Sequence, residues 1–323
     1  MNKMANVTYQ KLNSGHKVPA IGLGTWLPKP GDVATAVSHA IKAGYRHIDC
    51  AYAYFNEEEV GKGIKEALDS GCCKREDLFV TTKLWNNYHR RDLITKVCKG
   101  SLEKLGLDYV DLFLVHWPTA YVEEKEDLPI GEDGKFIVST APNSGILDTW
   151  QGMEECVKLK LAKSIGVSNF NSKQIEKILK AAKIKPANLQ IEAHPYFGNG
   201  KLVKFALDRG ITVTAFSPFG SPDRDWAKPD DPFILKDEKV KKMAEKYGKT
   251  PAQVVLRWNL QRGLIVIPKS VTPSRIDQNI DVFDFKLSAD DTKMLNSLHA
   301  DKNRVFHGDW VKHHPDFPFK IPF

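Results

Sequence analysis

Eight short apolar runs, each followed by a longer amphipathic stretch, predict an α/β fold in which crossover helices join the strands of a parallel sheet. The runs are rich in β-branched residues and nearly continuous in apolar character, as expected of strands buried on both faces. Length agrees. A barrel of eight strand–helix units commonly takes ~250 residues as one domain, so 323 residues accommodate a single domain spanning 1–323, with long loops and a tail.

The elements follow in order. VTYQKLNSGHKVPA (7–20) offers two short strands around Asn13-Ser14-Gly15, a hairpin placed to plug the bottom of a barrel. AIGLGTW (20–26) precedes a helix near 32–43, RHIDC (46–50) one opening at Glu57, and LFVTTKL (78–84) one over 91–105. YVDLFLVHW (109–117) leads, after a long loop, to a helix over 146–161. AKSIGVSNF (162–170) and ANLQIEAHP (187–195) precede helices over 172–182 and 200–209. TVTAFSPFG (212–220) reaches a helix near 236–247, and LIVIPKS (264–270) enters one opening at Thr272-Pro273. Gly44, Gly106 and Gly210 fall just before the next strand, where helix C-caps belong. Three stretches break the pattern of short links: 118–144, 218–235 and 298–323. Long loops in a compact fold usually carry function, and two of these follow the fourth and seventh strands.

Composition narrows the class. Hydrophobic residues make up 42% and charged residues 27%, ordinary for a soluble globular protein. The net charge of +7 is scattered, as in KDEKVKKMAEKYGK (236–249), which reads as a solvated helix face. A nucleic-acid binder concentrates its cations on a stripe; a few cations aimed at a small anionic ligand fit better. The five cysteines, Cys50, Cys72, Cys73, Cys98 and Cys156, form no CxxC pair and no metal spacing. No secretory or membrane-spanning run is visible. A cytoplasmic protein without metal, membrane or nucleic-acid partners is expected.

Asp49, Lys83 and His116 stand where the second, third and fourth barrel strands stop, and Tyr54 follows Asp49 by five residues. Parallel neighbours in a barrel deliver such side chains into one cleft. A phenol has an ordinary pKa near ~10, and an adjacent ammonium favours its ionised form. Lys83 is therefore expected to make Tyr54 acidic, with Asp49 holding Lys83 in place and His116 orienting a carbonyl oxygen. That group suits a general acid serving a developing alkoxide. Singly, each residue has a bland reading: rim packing for Tyr54, a structural ion pair for Asp49–Lys83, a satisfied buried imidazole for His116. Their coincidence on one rim carries the functional one.

An anion site is also visible. Lys269 and Ser270 end the last strand, and Thr272 (N-cap), Pro273 (N1) and Arg275 open the following helix. Free N–H groups there attract phosphate, and Arg275 offers a bidentate donor; an ordinary capped helix with surface cations is the alternative. No GxGxxG occurs, and IPKS lacks the glycines of a phosphate-binding P-loop.

Together GYRHIDCAYAYFNEEEVG (44–61), the Lys83 strand, VHWP, SIGVSNF (164–170), QIEAHPYF (190–197) and IPKSVTPSRIDQN (267–279) resemble the aldo-keto reductase superfamily, nearest aldose and aldehyde reductases. The resemblance covers residues 7 to 300. It implies a (β/α)8 TIM barrel that binds NADPH/NADP+ and transfers hydride from the nicotinamide to an aldehyde or ketone.

 Carried over position by position, Tyr54 is the proton donor, Lys83 and Asp49 tune it, and His116 orients the substrate. Ser168, Asn169 and Gln190 would hold the nicotinamide carboxamide. Lys269, Ser270, Arg275 and Asn279 would grip the adenosine 2′-phosphate and its surroundings, which favours NADPH over NADH. Thr25, Trp26, Asp49, Ser217, Phe219, Ser221, Val271 and Thr272 complete the implied cofactor contacts.

Three departures from the pattern stand out. The residue expected to stack on the nicotinamide is Phe216 rather than Tyr, and the adenine contact is Gln278 rather than Glu. A Lys that helps latch a loop over the pyrophosphate is replaced by Leu27, leaving Asp223 and Lys269 as the expected latch and implying faster NADP+ release. Trp26, Trp85, Trp117 and Trp226, with Tyr54 and His116, would make an aromatic substrate pocket. The tail NRVFHGDWVKHHPDFPF (303–319) would close it through Phe306, Trp310 or Lys312; the last could attract a carboxylated aldehyde, but a solvated lysine is the favoured reading. A monomer is expected. Two other classes remain open: an idle NADPH-binding barrel serving as a crystallin-like or regulatory subunit, and a metal-dependent hydrolase.

Overall fold

The computed structural model describes residues 7–26, 29, 31–123, 127–321 and 323, so Leu27 lies outside the described residues. The chain opens with a hairpin of β1 (Tyr9–Lys11) and β2 (Lys17–Pro19), paired antiparallel with Gln10 opposite Val18. Gly15 turns it at φ 92°, a conformation that glycine adopts without steric cost.

Eight parallel strands follow in sequence order: β3 (Leu23–Gly24), β4 (His47–Asp49), β5 (Phe79–Leu84), β6 (Val110–Val115), β7 (Ala162–Ser168), β8 (Asn188–Glu192), β9 (Thr212–Phe216) and β10 (Ile265–Val266). Bridges from Ile21 to Val266 and from Gly24 to Lys269 join the first strand to the last. The Gly22 N–H donates to the Val266 carbonyl at 2.9 Å and the Gly24 N–H to the Pro268 carbonyl at 3.1 Å. The sheet thus curls into the expected (β/α)8 barrel, with a seam shorter than the apolar runs over 20–26 and 264–270 suggest. Close approach explains the glycine there: a Cβ on Gly24 would sit 2.8 Å from the Ile267 carbonyl oxygen.

Helices α1 (Asp32–Lys42), α2 (Glu57–Asp69), α3 (Ile94–Leu105), α4 (Ile146–Lys158), α5 (Ser172–Ala181), α6 (Gly200–Leu207) and α7 (Glu238–Tyr247) pack outside the strands. Each turns an apolar stripe inward; α1 buries Val33, Ala36, Val37, Ala40 and Ile41. Gly44, Gly106 and Gly210 have φ of 109°, 65° and 70°, the left-handed conformation that ends a helix.

Two helices stand outside the eight sequence repeats. Between α7 and the last strand lies α8 (Pro251–Gln261), and α10 (Ala289–Asn296) follows α9 (Pro273–Ile280). The first has a local cause: Thr250 caps it, Gln253 returns the bond, and Pro251 occupies the first turn.

Strand alternation divides the core. Leu112 and Leu114 of β6 face the barrel interior with Leu12 and Val18 of the hairpin, Phe79, Ala187 and Ile265. Phe113 and Val115 face outward among the helices. The hairpin therefore plugs the N-terminal end, tied down by Asn13 Nδ2 donating to the Pro186 carbonyl at 2.7 Å. Among the described residues, no helix is long and apolar enough to cross a membrane.

Candidate active site

At the opposite end, the strand termini and long loops surround a cavity of about 940 Å³. Asp49 closes β4, Lys83 is the penultimate residue of β5, and His116 follows β6. Tyr54 ends a short 3₁₀ turn over Tyr52–Tyr54. Parallel register aligns these ends: Asp49 lies opposite Thr81, and Lys83 opposite Leu114.

Lys83 is 0% exposed and Asp49 1%, beneath the cavity floor. Lys83 Nζ donates to Asp49 Oδ1 at 2.5 Å, to the Cys50 carbonyl at 2.9 Å and to Tyr54 Oη at 3.3 Å. Gln190 Nε2 donates to Asp49 Oδ2 at 2.7 Å. A buried ion pair is tolerable only with such additional partners, since desolvation opposes it. Burial alone would depress the Lys83 pKa, but Asp49 and Tyr54 reverse it and hold it above the ordinary value, so the ammonium persists.

The phenol departs from expectation. Burial pushes the Tyr54 pKa up, and Lys83 pulls it down without prevailing, so it stays above the ordinary value. Tyr54 is thus a fully loaded proton donor rather than an acidified one. The ammonium can act when charge develops on oxygen, where a preorganised donor is most effective. His116 lies edge-on to Tyr54, with ring centroids 5.7 Å apart, and against Trp85 at 5.4 Å. Burial, then Lys83, hold its pKa well below the ordinary value, leaving a neutral imidazole. Its Nδ1 has no hydrogen-bond partner among the described residues.

Thr25, Trp26, Ser168, Asn169, Gln190, Phe216, Ser217, Phe219, Ser221 and Asp223 line the cavity. So do Lys269, Ser270, Val271, Thr272, Arg275, Gln278 and Asn279, and the four pocket tryptophans Trp26, Trp85, Trp117 and Trp226. Two amides already have local work. Gln190 uses its Nε2 on Asp49, and Asn169 Nδ2 donates to the His116 carbonyl at 3.0 Å and to Ser168 Oγ at 3.2 Å. Their carbonyl oxygens are the atoms left to accept from a carboxamide. Thr272 caps α9 by position, without a side-chain cap bond, and the Ser270 hydroxyl accepts from its N–H at 3.1 Å.

At the α9 end, neither Lys269 nor Arg275 forms an ion pair with a protein carboxylate among the described residues, leaving two cations for an anion. Asp223 and Lys269, the possible latch, both line the cavity but form no ion pair with each other. Instead Arg224 pairs with Asp231 inside its own loop. Ser217 and Ser221 sit at φ 48° and 45°, left-handed conformations costing non-glycine residues roughly 1–2 kcal/mol each. Their hydroxyls bond at 2.7 Å.

The pocket wall is aromatic. Phe306 contacts Trp26 at 5.3 Å, Phe216 at 5.2 Å and Trp226 at 5.6 Å between ring centroids. Trp310 packs on Trp117 at 5.9 Å. Lys312 does not line the cavity; its Nζ pairs with Asp309 at 2.7 Å, one turn earlier. The loop over 118–144 supplies Leu128 and Phe136, which the sequence pattern did not single out. That loop is held by Asp127: its carboxylate accepts from the Tyr52 and Tyr88 hydroxyls at 2.9 and 3.0 Å, and its carbonyl from the Trp85 indole at 2.7 Å. Among the described residues, no group of three or more His, Cys, Asp or Glu is arranged to hold a metal.

Residues 20–300 match the model of the aldo/keto reductase family. Aldo-keto reductase family 1 member A1-A of Danio rerio is 47% identical over 321 residues, covering 97% of this chain and 98% of the relative. Aldo-keto reductase family 1 member A1 of Homo sapiens is 44% identical over the same coverage. The solved structure of the aldose reductase from Schistosoma japonicum superposes with a TM-score of 0.90 at 44% identity, covering 98% of this chain and all of that one.

Proposed function

This chain belongs to the aldo/keto reductase family of oxidoreductases, which act on carbonyl compounds, and we propose from that premise that it reduces aldehydes and some ketones to alcohols with NADPH. The observation that carries the reading is the hydrogen-bonded chain Gln190–Asp49–Lys83–Tyr54 at the cavity floor. NADPH held in the cavity would supply the hydride for the carbonyl carbon. Tyr54 Oη gives its proton to the carbonyl oxygen, and the negative charge left on the phenolate is met by the Lys83 ammonium. Asp49 keeps Lys83 charged and in place. The neutral His116 orients the carbonyl oxygen beside the phenol.

The cavity suits such a cofactor. Its size fits a bound organic ligand. Phe216 supplies an aromatic face, Ser168, Asn169 and Gln190 polar groups for the carboxamide, and Lys269, Ser270, Arg275 and Asn279 a seat for the 2′-phosphate. The aromatic wall of Trp26, Trp85, Trp117, Trp226 and Phe306 favours uncharged aromatic or aliphatic aldehydes over carboxylated ones. We read the chain as one catalytic unit over 1–323, monomeric and cytoplasmic.

Following NADPH oxidation with a simple aromatic aldehyde tests the reaction, and nicotinamide deuterated at C4 should place its label on the alcohol carbon. Tight NADPH binding with no turnover would favour the structural or regulatory role instead. Arg275→Ala tests the phosphate seat: NADPH affinity should fall about 10- to 100-fold, the range of a lost charge-assisted hydrogen bond, with NADH little affected. Equal losses for both would refute that seat.

A further inference from the structure

We propose that Glu192 is a positioning residue that fixes Phe306 in the substrate pocket and so governs which aldehydes fit; the proposal rests on the carbonyl-reductase reading above. Glu192 is the last residue of β8 and is 2% exposed. Burying a carboxylate so fully is costly unless it is paired and hydrogen-bonded. Its partners belong largely to the tail. Oε1 accepts from the Val305 N–H at 2.7 Å, and Oε2 from the Phe306 N–H at 2.9 Å. His194 Nε2, itself 2% exposed, donates to Oε1 at 3.0 Å.

Two consecutive backbone donors on the two oxygens of one carboxylate fix the direction of the chain as well as its position. The ring that leaves this point is Phe306, which meets Trp26, Phe216 and Trp226. The preceding tail is seated on the segment after β8. Ala300 N–H donates to the Tyr196 carbonyl at 3.0 Å, and the Arg304 guanidinium stacks over Phe197 at 4.3 Å and Phe319 at 3.8 Å. One strand therefore serves both halves of the site. Gln190 reaches down to Asp49, and two residues later Glu192 reaches up to the tail.

Glutamine is nearly the same shape but has one accepting oxygen and a donating nitrogen, so Glu192→Gln must lose one of the two tail bonds. The test compares wild type, Glu192→Gln, Phe306→Ala and the double variant on propanal and on biphenyl-4-carbaldehyde, a rigid aldehyde long enough to reach the tail. Glu192→Gln should shift the ratio of kcat/KM between the two aldehydes about tenfold, the weight of one charge-assisted hydrogen bond, through KM and with kcat for propanal and NADPH affinity unchanged. The double variant should show no larger shift than Phe306→Ala alone. An unchanged ratio, equal losses on both aldehydes, or additive effects would overturn the proposal.

A second readout does not depend on turnover. Trypsin should cut Glu192→Gln after Arg304 several times faster than wild type, and equal resistance would overturn the clamp. If wild type reduces neither aldehyde, the functional reading fails by itself, and the proteolysis result still decides whether Glu192 holds the tail.

Discussion

Near the bottom of the barrel Phe79 opens β5 and packs with Leu12 and Val18 of the hairpin, whereas four residues later Lys83 carries a buried charge. Other strands repeat the contrast: Ala187 lies just below β8 and Gln190 and Glu192 near its top, and Ile265 starts β10 while Lys269 follows it. One end spends its side chains on apolar burial, worth about 1.5–3 kcal/mol for each large residue. The other accumulates buried polar groups whose desolvation opposes folding. The difference separates what holds the barrel together from what it does.

Breaking the rim pair should have the largest effect on stability. Asp49→Ala leaves the Lys83 ammonium buried without its partner and should cost about 3–5 kcal/mol in a denaturant melt. Asp49→Leu/Lys83→Met, which replaces both charges, should recover most of that loss while remaining inactive. If the double variant stays as unstable as the single one, the pair is structural and the contrast fails.

Cutting into the plug should do the reverse. Leu12→Ala is expected to cost about 2–5 kcal/mol, with kcat and KM of the folded protein unchanged. A large loss of turnover there would mean that the two ends are coupled.

The smallest expected effect concerns pH. His116 has a depressed pKa and stays neutral above it, and Tyr54 has a raised pKa and stays protonated below it. Reduction should therefore run at a constant kcat between about pH 6 and 8. A break near the ordinary histidine value of about 6.5, abolished by His116→Gln, would contradict the neutral imidazole.

How much of this was legible in the sequence follows from the range of each interaction. The eight strands, the eight helices that follow them and the glycine caps are local patterns, and they stand where the pattern puts them. So does the cluster of Asp49, Tyr54, Lys83 and His116, because strand ends in a barrel converge. Helix α8 carried its own signal, Thr250-Pro251 followed by Gln253, obscured by its position between an expected helix and an expected strand. Other features depend on contacts between distant segments. The sign of the Tyr54 shift turns on how deeply the phenol is buried against one ammonium. The bonds from Gln190 to Asp49 and from Glu192 to the tail span 141 and at least 113 positions. Lys312 illustrates the converse: an acid three positions earlier holds the cation at the surface, in keeping with the solvated lysine that the sequence favours.

Turnover of Tyr54→Phe at saturating NADPH and aldehyde probes the rim most directly, because the substitution removes one oxygen while leaving the ring among its neighbours. The rate should fall by about 10²–10⁴-fold, the usual contribution of a positioned acid, with NADPH affinity and melting temperature close to those of wild type. A variant that still reduces aldehydes at the wild-type rate would show that the proton comes from elsewhere.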